Sequence, residues 1–129
     1  MIDKSKVFEK NLDKIDFSGT TSVKFKEDLY EYFGENFLDK KILELGTHHG
    51  YSTRFFSFFF KEVHTIDKSD EYIGISGKFC SDRDNINFWH GDLYNQLEYF
   101  QPKPRDQGIT VPGVFDELPK DIEVVFIDA

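Results

Sequence analysis

The residues best suited to chemistry form one short segment, in which two glycines precede hydroxyl side chains. The segment reads ELGTHHGYST over residues 44–53, with Gly46 and Gly50 four positions apart and Ser52 just after them. Glycine lets the backbone approach a ligand where a Cβ would collide, and a helix start offers unpaired N–H groups to an oxygen-rich ligand. The segment therefore predicts a ligand-binding turn between a strand and a helix; an ordinary strand-to-helix turn is the alternative.

Acidic residues follow the apolar runs of the sequence. Asp67 comes about 20 residues after Gly46, the spacing at which a carboxylate binds ribose hydroxyls. Asp92 closes the next run, where a carboxylate could accept a hydrogen bond from the exocyclic amine of an adenine. Together with Glu44 and Asp128, these carboxylates would line one edge of a sheet and favour a neutral or cationic nucleoside over a pyrophosphate. For each Asp taken alone, a residue that simply ends a strand is the alternative.

Short apolar runs alternate with amphipathic stretches, a pattern typical of βαβ units. The predicted strands are residues 42–46, 63–66, 86–90 and 122–127. The predicted helices are residues 23–37, 52–60, 72–80 and 93–100. Right-handed crossovers with the first strand central give the order 3-2-1-4 and bring the carboxyl ends of the strands to one edge. We therefore predict an α/β protein with a Rossmann-like doubly wound parallel sheet, truncated after strand 4.

The chain has 129 residues, enough for one domain and one core. Residues 1–19 are rich in charged side chains and predict an N-terminal helical arm with a solvated face. Residues 20–129 form the predicted domain. Four of the five phenylalanines within residues 55–60 recur at helical spacing, which indicates core packing against the sheet. They are Phe55, Phe56, Phe59 and Phe60.

Composition excludes several classes of function. The 24 Asp and Glu against 16 Lys and Arg give a net charge of −8, which disfavours nucleic-acid or anionic-membrane partners. No apolar run approaches the ~18 residues of a membrane span. A lone Cys80 and no apolar leader predict a reducing, cytoplasmic location, with Cys80 as a buried thiol. The four histidines lack the spacing of a metal site, so we predict no bound metal.

Four segments carry a family resemblance: ILELGTHHGYST, VHTID, INFWHGDL and VVFIDA. In this order they resemble the motifs of class I S-adenosylmethionine-dependent methyltransferases. The form ELGxxxGYS with a terminal IDA is most similar to the catechol and caffeoyl-CoA type of O-methyltransferases. The resemblance covers residues 20–129, the N-terminal half of such an enzyme. It implies S-adenosylmethionine as cofactor and a small molecule as methyl acceptor.

The resemblance also implies roles for individual residues. Gly46 and His48 would lie against the methionine part of the cofactor, and Ser52 would meet its carboxylate. Gly50 would complete the glycine cradle, and Asp67 would hold the ribose hydroxyls.

Other residues would contact the rest of the cofactor. Asp92, with Trp89 or His90, would flank the adenine. Thr21 and Ser22 fall roughly where the family contacts the cofactor from its N-terminal arm.

Departures from the family are concentrated at the end of the chain. The family's sheet has seven strands, and its metal-dependent members complete a Mg²⁺ site with residues after the fourth strand. Asp128 therefore matches one ligand of an incomplete metal site and is the only candidate catalytic residue. The acceptor-binding part of the family is also missing.

Three functions remain open from the sequence. The first is methyl transfer to a small-molecule oxygen, with this chain carrying the cofactor-binding half. The second is a non-catalytic module that binds S-adenosylmethionine or S-adenosylhomocysteine. The third is a fragment of a dinucleotide-binding oxidoreductase. This hypothesis is less favoured, because His48 occupies the position where the Gly-x-Gly motif has its second glycine. The apolar run 124–127 predicts a strand buried on both faces, and its open edge predicts either a homodimer or aggregation.

Overall fold

A parallel four-stranded sheet in the order β3-β2-β1-β4 organises the chain. The strands are β1 (Lys41–Leu45), β2 (Glu62–Asp67), β3 (Ile86–His90) and β4 (Ile122–Ile127). The computed structural model describes residues 2–9, 22–91 and 117–127. β1 pairs in parallel with both β2 and β4, so the first strand is central as predicted. The predicted α/β class, Rossmann-like sheet and strand order are confirmed.

Helices flank this sheet. The described helices are α1 (Lys4–Phe8), α2 (Val23–Phe33), α3 (Tyr51–Phe56) and α4 (Asp70–Phe79). The longest of them, α2, has 11 residues, and none of the described helices is long and apolar enough to cross a membrane. The helix predicted over 93–100 lies outside the described residues.

The helix after β1 is shorter than the predicted 52–60 because its backbone hydrogen bonds tighten after Phe56. The Phe58 amide donates to the Phe55 carbonyl at 3.2 Å, and the Phe59 amide donates to the Phe56 carbonyl at 3.0 Å. Both bonds span three residues instead of four, the pattern of a tighter turn at a helix end. Sequence periodicity does not distinguish such turns from a continued helix.

Aromatic side chains fill one side of the sheet, as predicted from the phenylalanine cluster. The buried residues of this core are Val7, Phe8, Phe33, Ile42, Phe55, Phe56, Phe59, Phe60 and Val63. Ring centroids lie 4.8 Å apart for Phe55 and Phe59 and 5.1 Å apart for Phe33 and Phe60. Each buried phenylalanine contributes about 2–3 kcal/mol by leaving water, so this cluster anchors β1 against α2 and α3.

The N-terminal segment packs more closely than the predicted solvated arm. Val7 and Phe8 are buried in the aromatic core. The Tyr30 hydroxyl donates to the Ile2 carbonyl at 2.7 Å, and the buried Arg54 guanidinium pairs with the Glu9 carboxylate at 3.2 Å. The charged side chains of this segment, Asp3, Lys4, Lys6 and Glu9, are exposed as expected of a solvated face, whereas α1 places the two adjacent apolar side chains of Val7 and Phe8 against the core.

The opposite side of the sheet is only partly covered by described residues. Leu43, Ile66 and Leu118 are buried there. On β4, however, Val125 is 54% exposed and Ile127 is 71% exposed. The expectation that β4 is buried on both faces is therefore wrong within the described part of the chain, where β4 is an edge strand paired with β1 alone.

Candidate functional site

The turn between β1 and α3 contains three residues with positive φ. They are Gly46 at 102°, His48 at 50° and Gly50 at 90°. A left-handed conformation costs a residue with a Cβ about 1–2 kcal/mol, so His48 adopts it only where surrounding contacts hold it. The Gly46 amide donates to the Ile66 carbonyl at 2.9 Å, which fastens the start of the turn to β2.

Asp67, at the end of β2, holds the middle of this glycine turn. Its Oδ2 accepts hydrogen bonds from the amides of Thr47 at 3.1 Å and His48 at 3.0 Å. Its Oδ1 accepts from the Ser69 amide at 2.9 Å, and the residue is 7% exposed. A carboxylate offers about four acceptor positions, so these amides leave room for one more donor. The structure thus brings together the turn and the carboxylate that the sequence singled out.

The end of β3 is attached to the same corner. The Gly91 amide donates to the Asp67 carbonyl at 3.0 Å. The His90 ring lies 2.9 Å from the Lys68 carbonyl through Nε2 and 3.3 Å from the Asp70 carboxylate through Nδ1. His90 is exposed, and it therefore lies at the carboxyl edge beside the segment that follows Asp67.

The Trp89 side chain contacts β2 and does not extend to the carboxyl edge of the sheet. Its Nε1–H donates to Nδ1 of the buried His64 at 3.1 Å. Trp89 is paired in register with Ile66. Its indole therefore extends along β2 toward His64, which lies two residues before Ile66. Of the two residues predicted to flank an adenine, His90 lies at the edge, whereas the Trp89 indole packs over the strand.

Glu44 lies beneath the glycine turn and is 0% exposed. Its Oε1 accepts hydrogen bonds from the hydroxyls of Thr53 on α3 and Thr65 on β2. This carboxylate therefore supports the turn from below instead of lining the surface of the edge.

Gly50 is required by packing as well as by its backbone conformation. A Cβ at this position would lie 2.7 Å from the Ser76 Cβ and 3.3 Å from the Cys80 sulfur. A valine at this position would collide with α4, which occupies that space. Cys80 is buried, as predicted, with its Sγ 3.5 Å from the Gly50 carbonyl. Ser52 is buried in the first turn of α3.

The remaining predicted residues fall elsewhere or outside the described chain. Ser22 is the N-cap of α2, and its hydroxyl accepts from the Phe25 amide at 3.1 Å. Asp92, Asp128 and Thr21 lie outside the described residues. Within the described ranges, no group of three or more His, Cys, Asp or Glu side chains could hold a metal ion.

Aromatic rings beside the glycine turn were not anticipated from the sequence. Tyr72 in the first turn of α4 lies 5.3 Å from the His49 ring and 6.0 Å from the His48 ring. Tyr51 stacks on His49 at 6.2 Å, and burial raises the pKa of its phenol. The available signal was the position of Tyr72 shortly after Asp67, which brings α4 back toward the turn.

No protein-family model and no curated protein sequence matches the chain significantly. Solved structures do match. The methyltransferase PaMTH1 of Podospora anserina, with S-adenosylhomocysteine bound, aligns with a TM-score of 0.58 and 17% identity over 97% of this chain and 47% of that chain. A protein-L-isoaspartate O-methyltransferase aligns with a TM-score of 0.53 and 21% identity over 84% of this chain and 29% of that chain.

The chain has the Rossmann-like fold of these methyltransferases. Phosphoethanolamine N-methyltransferase 1 of Haemonchus contortus, in complex with phosphoethanolamine and S-adenosylhomocysteine, aligns with a TM-score of 0.50 and 18% identity over 68% of this chain and 20% of that chain. The chain spans less than half the length of each of these structures. The names of the second and third structures describe different methyl acceptors, so the methyltransferase fold does not select one acceptor.

Proposed function

We propose that this chain binds S-adenosylmethionine at the carboxyl edge of β1 and β2, as the cofactor-binding half of a methyltransferase. One observation carries the proposal: Asp67 is joined to the amides of Thr47 and His48 and keeps one acceptor position. That position suits a ribose hydroxyl. Two proteins of the same fold contain S-adenosylhomocysteine in their structures.

The glycine turn suits the rest of the cofactor. Gly46 has no Cβ and a positive φ, so its backbone can approach the methionine part closely. His48 would lie beside it, and Ser52 in the first turn of α3 would meet the carboxylate. His90 and Asp92 would flank the adenine. When bound, S-adenosylmethionine supplies an electrophilic methyl group on a positively charged sulfur.

The negative charge of Asp67 and the hydrogen bonds of the turn amides favour S-adenosylmethionine over a dinucleotide. A pyrophosphate needs free backbone amides at the turn that precedes the helix. Here the Thr47 and His48 amides donate to Asp67, and a second anion at this carboxylate would be repelled. A sulfonium cation meets no such repulsion, which favours S-adenosylmethionine over NAD.

The acceptor class remains part of the proposal. We favour methyl transfer to an oxygen of a small molecule, of the catechol type, because the acidic chain disfavours nucleic acid. Asp128 stays the predicted catalytic residue, and a cytoplasmic location stays a prediction. The alternative is a module that binds S-adenosylmethionine or S-adenosylhomocysteine without transferring a methyl group.

Calorimetry with S-adenosylmethionine, S-adenosylhomocysteine and NAD tests the proposal. We expect both sulfur compounds to bind and NAD to bind much more weakly. Tight NAD binding, or no binding of either sulfur compound, would contradict it. Transfer of a labelled methyl group from S-adenosylmethionine to catechol would establish a transferase, whereas binding without labelled product is expected both of a binding module and of the cofactor-binding half alone.

A further inference from the structure

A relay of buried hydroxyl groups connects the glycine turn to the carboxylate below it. The Thr47 and Thr65 hydroxyl oxygens lie 2.7 Å apart, and the Thr65 hydroxyl donates to Glu44 Oε1 at 2.7 Å. A threonine hydroxyl carries one proton. Since Thr65 gives its proton to Glu44, Thr47 must be the donor to Thr65. The relay therefore has a fixed direction, from Thr47 through Thr65 to Glu44.

Thr47 is consequently held at two atoms by neighbouring residues of β2. Its hydroxyl donates to Thr65, and its amide donates to Asp67 Oδ2 at 3.1 Å. Thr65 and Asp67 are two positions apart on a strand, so their side chains emerge on the same face. The next amide in the turn, that of His48, shares the Asp67 oxygen at 3.0 Å.

The relay lies in the interior: Glu44 and Thr65 are fully buried, and Thr47 is nearly so. A buried carboxylate is tolerated only when hydrogen bonds replace its lost hydration. Removing the middle hydroxyl would leave Thr47 without its acceptor and Glu44 without one of its donors. The rotamer of Thr47, and with it the strained backbone of His48, would then be less constrained.

We propose that Thr65 is a positioning residue for the cofactor, which holds the Thr47 and His48 amides on Asp67 without touching the ligand. This inference rests on the proposed function, because its consequence is cofactor affinity. The hydroxyl of Thr65, and not its volume, is the feature that matters.

Three variants test this, with S-adenosylhomocysteine as the calorimetric probe. Thr65→Val keeps the shape and removes the hydroxyl, and we expect affinity to fall about tenfold, the effect of losing one buried hydrogen bond. Thr65→Ser keeps the hydroxyl and should stay within about twofold of the wild type. Thr53→Val is the matched control: it removes another donor to the same Glu44 oxygen but does not contact Thr47, so its affinity loss should be clearly smaller.

Hydrogen exchange of the Thr47 and His48 amides in the unliganded protein gives a readout that is independent of cofactor binding. Thr65→Val should accelerate exchange at both amides, whereas Thr65→Ser and Thr53→Val should not. Unchanged exchange in Thr65→Val, or equal acceleration in Thr65→Ser, would overturn the relay. If the wild type binds no S-adenosylhomocysteine, the proposed function fails, and amide exchange still decides the relay.

Discussion

The Asp67 carboxylate accepts a hydrogen bond of 3.0 Å from the His48 amide and so closes the glycine turn against the end of β2. His48 has a φ of 50°, and this bond is one of the contacts that hold the strained residue. One carboxylate thus shapes the turn and keeps an acceptor for a ligand.

Asp67→Ala should weaken S-adenosylhomocysteine binding by about 1.5–3 kcal/mol, the range for hydrogen bonds to a charged group. Both the ribose contact and the anchor of the turn amides would be lost. Calorimetry measures the change. The matched control is Asp28→Ala, since Asp28 pairs with Lys24 on the exposed face of α2 and not with a residue of the proposed site. Equal affinities of the Asp67 and Asp28 variants would contradict the assignment of the site.

Gly50→Ala should destabilise the fold by about 1–3 kcal/mol, the usual result of overpacking. Its Cβ would collide with Ser76, and its φ of 90° strains any other residue. Thermal unfolding measures the loss, and Ser76→Gly in the same chain should restore part of it.

Gly74→Ala is the matched control on α4. Nothing lies within 4 Å of a Cβ at this position, so the substitution should stabilise the helix by about 1 kcal/mol through helix propensity alone. Destabilisation by Gly74→Ala, or no effect of Gly50→Ala, would contradict the packing described at these positions.

The fluorescence of Trp89, the single tryptophan of the chain, reports on its hydrogen bond with His64. His64→Phe removes the acceptor of the Trp89 indole N–H, and leaving this half-buried donor unpaired costs about 1 kcal/mol. We expect lower stability and an emission maximum shifted to longer wavelength as the indole moves toward water. His64→Gln retains an acceptor and should emit near the wild type. A spectrum of His64→Phe identical to the wild type would show that the contact does not hold the indole.

Acid should weaken a charged cluster at the amino ends of the strands. The Lys41 ammonium lies 3.0 Å from both the Glu62 and Asp121 carboxylates and lowers the pKa of each. Because the pKa values are lower in the folded state, this stabilisation is present above the unfolded carboxyl pKa and is lost as the pH falls through the folded values.

Lys41→Met tests this cluster. The free energy of unfolding of the wild type should fall more steeply on acidification than that of the variant. The difference should shrink in high salt, since Asp121 is exposed and Lys41 and Glu62 are only half-buried, so that ions in solution screen their charges. Parallel pH profiles at low salt would contradict the prediction.

β4 is the predicted site of homodimerisation. Its outward Val125 and Ile127 are 54% and 71% exposed, and an open apolar strand edge pairs readily with another strand. We expect light scattering to show a dimer that Ile127→Lys converts to a monomer. A wild-type monomer across the concentration range would exclude this pairing.

Local sequence patterns were sufficient to predict the sheet order, the glycine turn and the position of Asp67 at the same sheet edge as that turn. These features follow from local patterns, since β-branched runs form strands and short right-handed crossovers leave few topologies. The strand ends then place Gly46 and Asp67 at one edge whatever the details of packing.

Only the tertiary structure decided what each side chain contacts. Burial of Glu44, the direction of the Trp89 indole and the space beside Gly50 depend on residues distant in sequence, here Thr65, His64 and Ser76. Likewise, Phe8 packs into the aromatic core, although it belongs to a segment whose charged residues predicted a solvated arm. Hydrophobic burial and hydrogen-bond satisfaction are set by the whole packed chain, so local periodicity predicts the elements but not their contacts.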